Sequence, residues 1–288
     1  MNPLRGIVLK LLSVTCFMVM SSLVKATADV APPGEAMFFR SVLAAPLILI
    51  WLIARGELRS GLRTYDPMGH VWRGAIGSTA MAFGFFALGL LPLPEVVAIF
   101  FAAPILATIF AAMFLGEAIR AYRLAAVALG LVGVALIISP RLTSFDGAST
   151  AETLGALAAL IGAVLAALAQ VFIRKLVGAE STTAIVFYFS VTSTALALLS
   201  APFGWVWPDP VSLTLLALTG VAGGLGQILL TQSFRYAETA VIAPFDYAQI
   251  VFALVIGWFV FGEAPTVIML TGASLTVSAG LLIIWRER

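Results

Sequence analysis

The sequence predicts an all-α polytopic membrane protein with ten transmembrane helices, arranged as two inverted five-helix repeats. Of its 288 residues, 61% are hydrophobic and 10% are charged, and the mean hydropathy is +1.09. Soluble domains carry about 25% charged residues. The apolar runs are continuous, reach the roughly 20 residues that a helix needs to cross a bilayer, and lack the alternation of barrel strands. We therefore expect the chain to lie in the lipid bilayer, which is one of its partners.

The apolar runs, bounded by charges, glycine or proline, define the predicted spans. The first run, from Gly6 to Ala28, is longer than a typical signal-peptide core and carries Lys10 and Lys25. We interpret it as a retained span, with cleavage as the alternative. The predicted spans cover residues 5–28, 34–54, 71–91, 94–116, 121–139, 152–174, 181–203, 211–234, 239–261 and 265–285.

Lysine and arginine are concentrated in alternate connections, which predicts the orientation of the chain. The connection after the second span carries Arg59 and Arg63, and Arg73 stands at the following helix end. The connections on the other side carry only Arg141, with Lys25 at a helix end. We therefore expect a multi-pass protein of the cell inner (plasma) membrane with both termini in the cytoplasm.

The two halves of the chain repeat one pattern. A shift of 149 residues places Gly6 on Gly155, and a shift of 146 places the Gly-Glu-Ala motif at 116–118 on that at 262–264. These matches predict one five-helix repeat in residues 1–140 and a second in residues 150–288. Because each repeat has an odd number of spans, the second enters the membrane from the opposite side, as in many secondary transporters.

Several classes of site lack the residues that would build them. Cys16 is the single cysteine and His70, in a basic loop, the single histidine, so no metal or cofactor is expected. The sequence contains no phosphate-binding loop. The net charge of +2 does not suggest nucleic acid as a partner.

Three motifs resemble the EamA-type members of the drug/metabolite transporter superfamily. They are Phe38-Phe39-Arg40-Ser41 in the second span and the endings Phe114-Leu115-Gly116-Glu117 and Phe261-Gly262-Glu263. The resemblance covers the whole chain and implies a basket of spans 1–4 and 6–9 around a central cavity, with spans 5 and 10 at the periphery. Within the superfamily, the chain resembles exporters of amino acids and other metabolites and also carriers that import S-adenosylmethionine, and we favour the branch that exports aromatic amino acids.

Charges inside the spans must pair, reach the interface or face water. Lys25 is expected to reach the interface. Lys10 and Asp246 lie at similar depth, so we expect a structural salt bridge between them, with a proton relay as the alternative. Arg40 is expected to pair with an acidic residue, or else to hold a substrate carboxylate through its bidentate fork. Its candidate partners are Glu35, Glu95 and Glu263.

Pro104 and Pro244 interrupt the fourth and ninth spans. Each removes a backbone hydrogen bond, which predicts a bent helix. We interpret the bends as packing features, with gating flexibility as the alternative.

Other polar and aromatic side chains in the spans are candidates for solute contact. Gln170, Gln227 and Gln249 offer donors and acceptors to a zwitterion, although interhelical hydrogen bonding is the alternative. The predicted substrate-binding residues are Phe85, Phe100, Phe101, Gln170, Tyr188, Gln227, Thr231, Tyr247 and Gln249.

The sequence and the resemblance together predict a secondary transporter, and not an enzyme, that exports small metabolites, foremost amino acids including aromatic ones. Oligomerisation is not required. The alternative is an exchanger that imports a cationic metabolite such as S-adenosylmethionine, which an unpaired Asp246 would favour. An enzyme acting on lipid would need a cluster of acid/base or nucleophilic residues, and a channel would need a ring of charge. The sequence suggests neither.

Overall fold

A computed structural model describes residues 3–115, 121–143, 150–236 and 242–287. Within these residues the chain is helical and has no strand. The first half contains α1 (Pro3–Ala26), α2 (Pro33–Ala54), the short α3 (Leu58–Gly61), α4 (Pro67–Leu90), α5 (Leu93–Phe100), α6 (Ala102–Leu115) and α7 (Ala121–Thr143).

The second half of the chain holds the remaining described helices. It contains α8 (Thr150–Val177), α9 (Thr182–Leu198), α10 (Pro210–Tyr236), the 3-10 helix η1 (Ala243–Tyr247), α11 (Ala248–Phe261) and α12 (Val267–Glu287).

Six described helices are long and apolar enough to cross a membrane. Four shorter apolar helices cover Leu93–Ala107, Thr182–Leu198, Phe245–Phe261 and Val267–Leu282. They overlap the predicted spans 4, 7, 9 and 10. The fold is therefore that of a polytopic helical membrane protein, and the count of ten spans stays a prediction.

The predicted bends coincide with local breaks in regular α-helical geometry. The fourth predicted span is interrupted at Phe101, between α5 and α6, with Pro104 in the first turn of α6. In the described part of the ninth, Pro244 lies in η1, and the segment becomes α-helical at Ala248. The two breaks lie close together, since the rings of Phe101 and Tyr247 have centroids 5.1 Å apart. The Gly116-Glu117 pair lies outside the described residues.

Each half of the chain packs against the other. The most extensive contacts join α1 to α10 and α4 to α8, and α2 packs against both α9 and α10. The helix α8 carries a row of fully buried small residues, Ala156, Ala159, Ala163 and Ala167, and a Cβ at its Gly162 would lie 3.2 Å from the Ala80 carbonyl oxygen of α4. Small residues at three- and four-residue spacing let two helices approach closely within a membrane.

The helices α7 and α12 pack mainly against each other. A Cβ at Gly272 would lie 2.5 Å from the carbonyl oxygen of Gly133, so the two backbones touch at these glycines. Nearby, the Thr276 hydroxyl donates to the Gly130 carbonyl at 3.4 Å. Thr276 and Gly130 are 146 residues apart, the shift that superimposes the two Gly-Glu-Ala motifs.

Candidate functional site

Two arginines converge on one aromatic ring in the interior of the helix bundle. Arg40 of α2 has its guanidinium carbon 5.0 Å from the centroid of Phe189 in α9, and Arg73 of α4 has its own 3.9 Å from the same centroid. Their exposed fractions are 4% and 6%. Two cations are thus buried side by side. We call Arg40, Arg73 and Phe189 the arginine cluster.

Glycines make room for both long side chains. A Cβ at Gly77, one turn beyond Arg73 on α4, would lie 2.5 Å from Arg73 Nη1. A Cβ at Gly223 of α10 would lie 3.2 Å from Arg40 Cγ and 2.9 Å from the sulfur of Met20. Arg40 therefore lies at the level of Met20 on α1, between Lys10 and Lys25.

Neither arginine has an acidic partner among the residues that the structure describes. The Nε and Nη1 groups of both Arg40 and Arg73 are buried and donate to no acceptor among the described residues. The expected pairing of Arg40 with an acidic residue is therefore wrong. Two of the three candidates pair with other cations, and the third forms no ion pair with Arg40. Glu95 pairs with Arg141, Glu263 pairs with Lys25, and Glu35 Oε2 is buried without a partner.

Lys25 and Glu263 join the end of α1 to the α4–α5 and α11–α12 connections, at the bundle end that the charge pattern predicts to face outside. Lys25 Nζ lies 2.8 Å from Glu263 Oε1 and donates to the Leu91 carbonyl at 2.7 Å. The other Glu263 oxygen accepts from the Leu93 amide at 2.8 Å. The sequence predicted that Lys25 reaches the interface and did not suggest this partner: its ammonium joins the end of α1 to the residues that follow α11.

Arg141 forms a second ionic contact at the same end. It donates from Nε and Nη2 to Glu95, at 3.1 and 2.8 Å, and from Nη1 to Glu152 at 2.6 Å. This bidentate geometry links the starts of α5 and α8 through the end of α7. Bidentate arginine–carboxylate pairs combine strength with a fixed orientation.

Lys10 and Asp246 form an ion pair near the opposite end of α1. Lys10 Nζ lies 2.7 Å from Asp246 Oδ1, and the Lys10 side chain is 5% exposed. The pairing expected from their depth is therefore present. Together with Lys25 and Glu263, this contact connects α1 at two levels to the single segment formed by η1 and α11.

A carboxylate in the connection between α8 and α9 organises the end that carries the basic connections. Glu180 Oε1 accepts hydrogen bonds from the backbone N–H of Tyr65 and Asp66 and from the Thr64 hydroxyl, and Oε2 lies 3.6 Å from His70 Nε2. Burial opposes ionisation of Glu180, but these hydrogen bonds outweigh it and lower its pKa. His70, expected in a basic loop, instead lies in the first turn of α4 and is 3% exposed.

The predicted aromatic residues occupy different environments. The Phe100 ring fills a gap between α4 and α8 that Gly84 and Gly162 leave open, and the Tyr247 hydroxyl fills the space beside Gly280 of α12. Tyr188 donates to the Leu62 carbonyl at 3.0 Å and stacks on His70. Phe85 lines a cleft of ≈ 240 Å³ between α1, α2 and α4. Phe101 and Tyr247 are in contact, but Phe85, Phe100 and Tyr188 lie in separate environments, so the predicted aromatic side chains do not line one common pocket.

The three predicted glutamines lie on three different helices, α8, α10 and α11. Gln170, Gln227 and Gln249 are half-buried, and their amides form no hydrogen bond within the described ranges. Pro104 is exposed at the bundle surface. The side chains of Thr231 and Pro244 lie outside the described part of the structure.

Comparison with known proteins identifies the family. The model of the EamA-like transporter family matches residues 4–139 and again residues 153–285. The chain belongs to the EamA-like transporter family. It is therefore a membrane transporter for small molecules and not an enzyme.

Members of known activity and a solved structure resemble the whole chain. The pseudopaline exporter CntI of Pseudomonas aeruginosa is 32% identical over 285 residues, 97% of this chain and 93% of the exporter. An S-adenosylmethionine uptake transporter of Rickettsia bellii is 26% identical over 254 residues, 88% of this chain and 84% of that transporter. A protein crystal structure matches with a TM-score of 0.68 at 22% identity, over 98% of both chains, which establishes the shared fold.

Sequence analysis missed most of the arginine cluster. It assigned Arg73 to a cytoplasmic helix end because the apolar run begins near residue 71. A local signal places the helix start earlier: the Asp66 carboxylate accepts from the Gly69 amide at 2.8 Å, and Pro67 follows as the first helical residue. Aspartate at the N-cap with proline after it is a typical helix start, and it puts Arg73 almost two turns inside.

Proposed function

We propose that this protein is a secondary transporter of the inner membrane that exports small metabolites, foremost amino acids including aromatic ones, by alternating access. The observation that carries this proposal is the position of the arginine cluster between two ion pairs. Lys10–Asp246 and Lys25–Glu263 join α1 to the η1–α11 segment near opposite ends of α1. A buried polar site enclosed by polar contacts at both ends is expected of a carrier, which opens to one side at a time.

The proposal includes two inverted repeats, residues 1–140 and 150–288, with both termini in the cytoplasm. Under this symmetry α1 corresponds to α8 and α4 to α10, so the packing of α1 on α10 should recur as that of α8 on α4. Both pairs are extensive contacts. The contact between Thr276 and Gly130, 146 residues apart, is also expected where equivalent positions meet on a two-fold axis.

The breaks at Phe101 and Tyr247 support movement between the halves. Breaks in paired spans near the middle of the membrane are common where transporters bind solute. Because the two rings contact each other, bending of one segment changes the position of the other. The unpaired amides of Gln170, Gln227 and Gln249 supply donors and acceptors that a zwitterionic solute requires.

The alternative is an exchanger that imports a cationic metabolite such as S-adenosylmethionine. The Rickettsia relative, named as an uptake transporter for that compound, favours it. Asp246, whose availability would support a cationic substrate, is instead paired with Lys10. We therefore favour export, the activity named for the pseudopaline relative.

Counterflow in proteoliposomes tests the substrate. The purified protein is reconstituted with unlabelled solute inside, and accumulation of labelled Phe, Trp, Thr, Met and S-adenosylmethionine is measured. We expect the amino acids to accumulate, with the aromatic ones foremost. Accumulation of S-adenosylmethionine alone would establish the alternative. Efflux from cells preloaded with labelled Phe, with and without expression of the protein, tests the direction.

A further inference from the structure

We propose that Arg40 and Arg73 together bind a carboxylate group of the transported solute. This inference rests on the proposed function and narrows it to carboxylate-bearing solutes. The arginine cluster thereby acquires a role that the sequence left open for Arg40 and did not suggest for Arg73.

The first argument is the absence of compensating charge. An ionised side chain buried in a membrane protein is expensive unless it pairs or meets water. Among the described residues no carboxylate lies within ion-pair distance of Arg40 or Arg73, although four other buried or partly buried carboxylates are engaged by cations: Glu95, Glu152, Asp246 and Glu263. The chain thus neutralises its interior cations elsewhere and leaves these two for an anion from outside the protein.

The second argument is the geometry of the donors. Both guanidinium groups lie against the Phe189 ring, so their two central carbons are separated by no more than the sum of the two ring distances. Each has its Nε and Nη1 groups buried without a partner among the described residues, so both guanidinium groups have N–H donors available to a ligand. Planar guanidinium groups can donate to the two oxygens of a carboxylate.

The third argument is that the rest of the molecule holds these donors in position. Gly77 and Gly223 leave space that the Arg73 and Arg40 side chains fill. The three members of the cluster come from α2, α4 and α9, which all pack against one another. A bound carboxylate would therefore bridge α2 and α4 of the first half where both pack on α9 of the second half.

Thermal unfolding of the purified protein in a neutral detergent tests the site without requiring transport. The probes are phenylacetate, its uncharged amide phenylacetamide, inorganic phosphate and chloride, at equal ionic strength. We expect phenylacetate to raise the unfolding temperature in a saturable manner and phenylacetamide to have no effect. Equal shifts with the acid and the amide would overturn the proposal, as would a larger shift with phosphate or chloride than with phenylacetate.

Variants locate the effect. Arg40→Gln and Arg73→Gln are each expected to weaken phenylacetate binding at least tenfold, while Arg59→Gln, which changes an exposed arginine of α3, leaves it unchanged. Without ligand, the Gln variants should unfold at temperatures no lower than the parent, because each removes an unpaired buried charge. If Arg73→Gln does not fold, Arg73→Lys, which keeps the charge and loses the fork, is expected to bind tenfold more weakly. Unchanged binding in the Arg40 and Arg73 variants would overturn the assignment.

Counterflow measurements on the same variants distinguish a failure of the carboxylate site from a failure of the proposed function. Binding of carboxylates without accumulation of any amino acid would contradict amino-acid transport and leave the site standing. Accumulation of amino acids that Arg40→Gln and Arg73→Gln do not impair would support transport and refute the site.

Discussion

Arg40 and Arg73 both pack against the Phe189 ring, although they carry like charges. At the largest separation that their ring distances allow, and an effective dielectric constant of about 20, they repel each other by at least about 2 kcal/mol. The aromatic ring offsets part of this cost, since a cation over a ring gains about 0.5–2 kcal/mol. Binding of an anionic ligand would relieve the repulsion between the two arginines that the ring does not offset.

Replacing Phe189 with leucine tests this relationship. Phe189→Leu keeps an apolar side chain but removes the ring that both guanidinium groups contact, so the free energy of unfolding should fall by about 1–3 kcal/mol. The affinity for solute should fall as well, because the arginines lose their support. Thermal unfolding and the concentration dependence of counterflow measure the two effects.

Phe187→Leu is the matched control. Phe187 lies two residues earlier on α9 and packs against the cluster of Ile48, Leu52 and Val186. We expect this change to lower stability without altering solute affinity. Equal effects of the two substitutions on affinity would show that Phe189 acts only through general packing.

The Lys25–Glu263 ion pair should give a measurable coupling energy in the free energy of unfolding. In a double-mutant cycle of Lys25→Gln and Glu263→Gln, we expect an interaction of about 1–3 kcal/mol in the free energy of unfolding, because the two charges are partly buried and share hydrogen bonds with adjacent connections. The same variants should alter transport rates, since the contact closes one end of α1. If the effects of the two substitutions on the free energy of unfolding are additive and the transport rates are unchanged, the ion pair contributes neither to stability nor to transport.

Glu180 gives the protein a predictable response to acid. Its folded-state pKa is lowered below the ordinary value of 4.5, so the ionised carboxylate stabilises the fold above about pH 4.5, and this contribution is lost as the pH falls through the lower folded-state value. At pH 7, Glu180→Gln should therefore be less stable than the parent by about 1–3 kcal/mol.

Unfolding curves of Glu180→Gln and the parent across pH check this sign. The difference between them should shrink as the pH falls below 4.5. Glu57→Gln, which changes an exposed carboxylate before α3, should match the parent throughout. A difference for Glu180→Gln that persists unchanged into acid would exclude its charge as the cause.

The close approach of Gly133 and Gly272 should not tolerate even a methyl group. In Gly272→Ala the new Cβ would lie 2.5 Å from the Gly133 carbonyl oxygen, so α7 and α12 must separate, at a cost of about 1–3 kcal/mol. Gly178→Ala, where a Cβ meets nothing within 4 Å, serves as the control and should be close to neutral. Thermal unfolding of both variants decides whether this glycine contact holds the two helices together.

Gln249→Ala separates solute contact from helix association. Because the half-buried Gln249 amide has no partner within the described residues, its removal should reduce transport by tenfold or more while leaving expression and unfolding temperature unchanged. Ser274→Ala, which removes an exposed hydroxyl bonded to its own helix, should affect neither. A fall in unfolding temperature with normal transport would instead identify Gln249 as a contact between helices.

Sequence determined those properties of this protein that depend on local patterns. Continuous apolar runs established a polytopic helical fold because a bilayer requires each span to satisfy its own backbone, and Pro104 and Pro244 marked the broken segments because proline cannot donate its hydrogen bond. The depth of Lys10 and Asp246 was sufficient to predict their ion pair, since two unlike charges at one level of a membrane bundle have few other ways to be neutralised.

Only the tertiary structure decided which charges meet across the bundle. Depth alone left Arg40 with three acidic candidates, and helix packing assigned Glu95 to Arg141 and Glu263 to Lys25, leaving Arg40 beside Arg73. The sequence does not encode this outcome in any short pattern, because the azimuth of each helix and the reach of a long side chain bring together residues from α2, α4 and α9. Periodicity and hydropathy report how deep a residue lies, whereas a binding site depends on which side chains face one another.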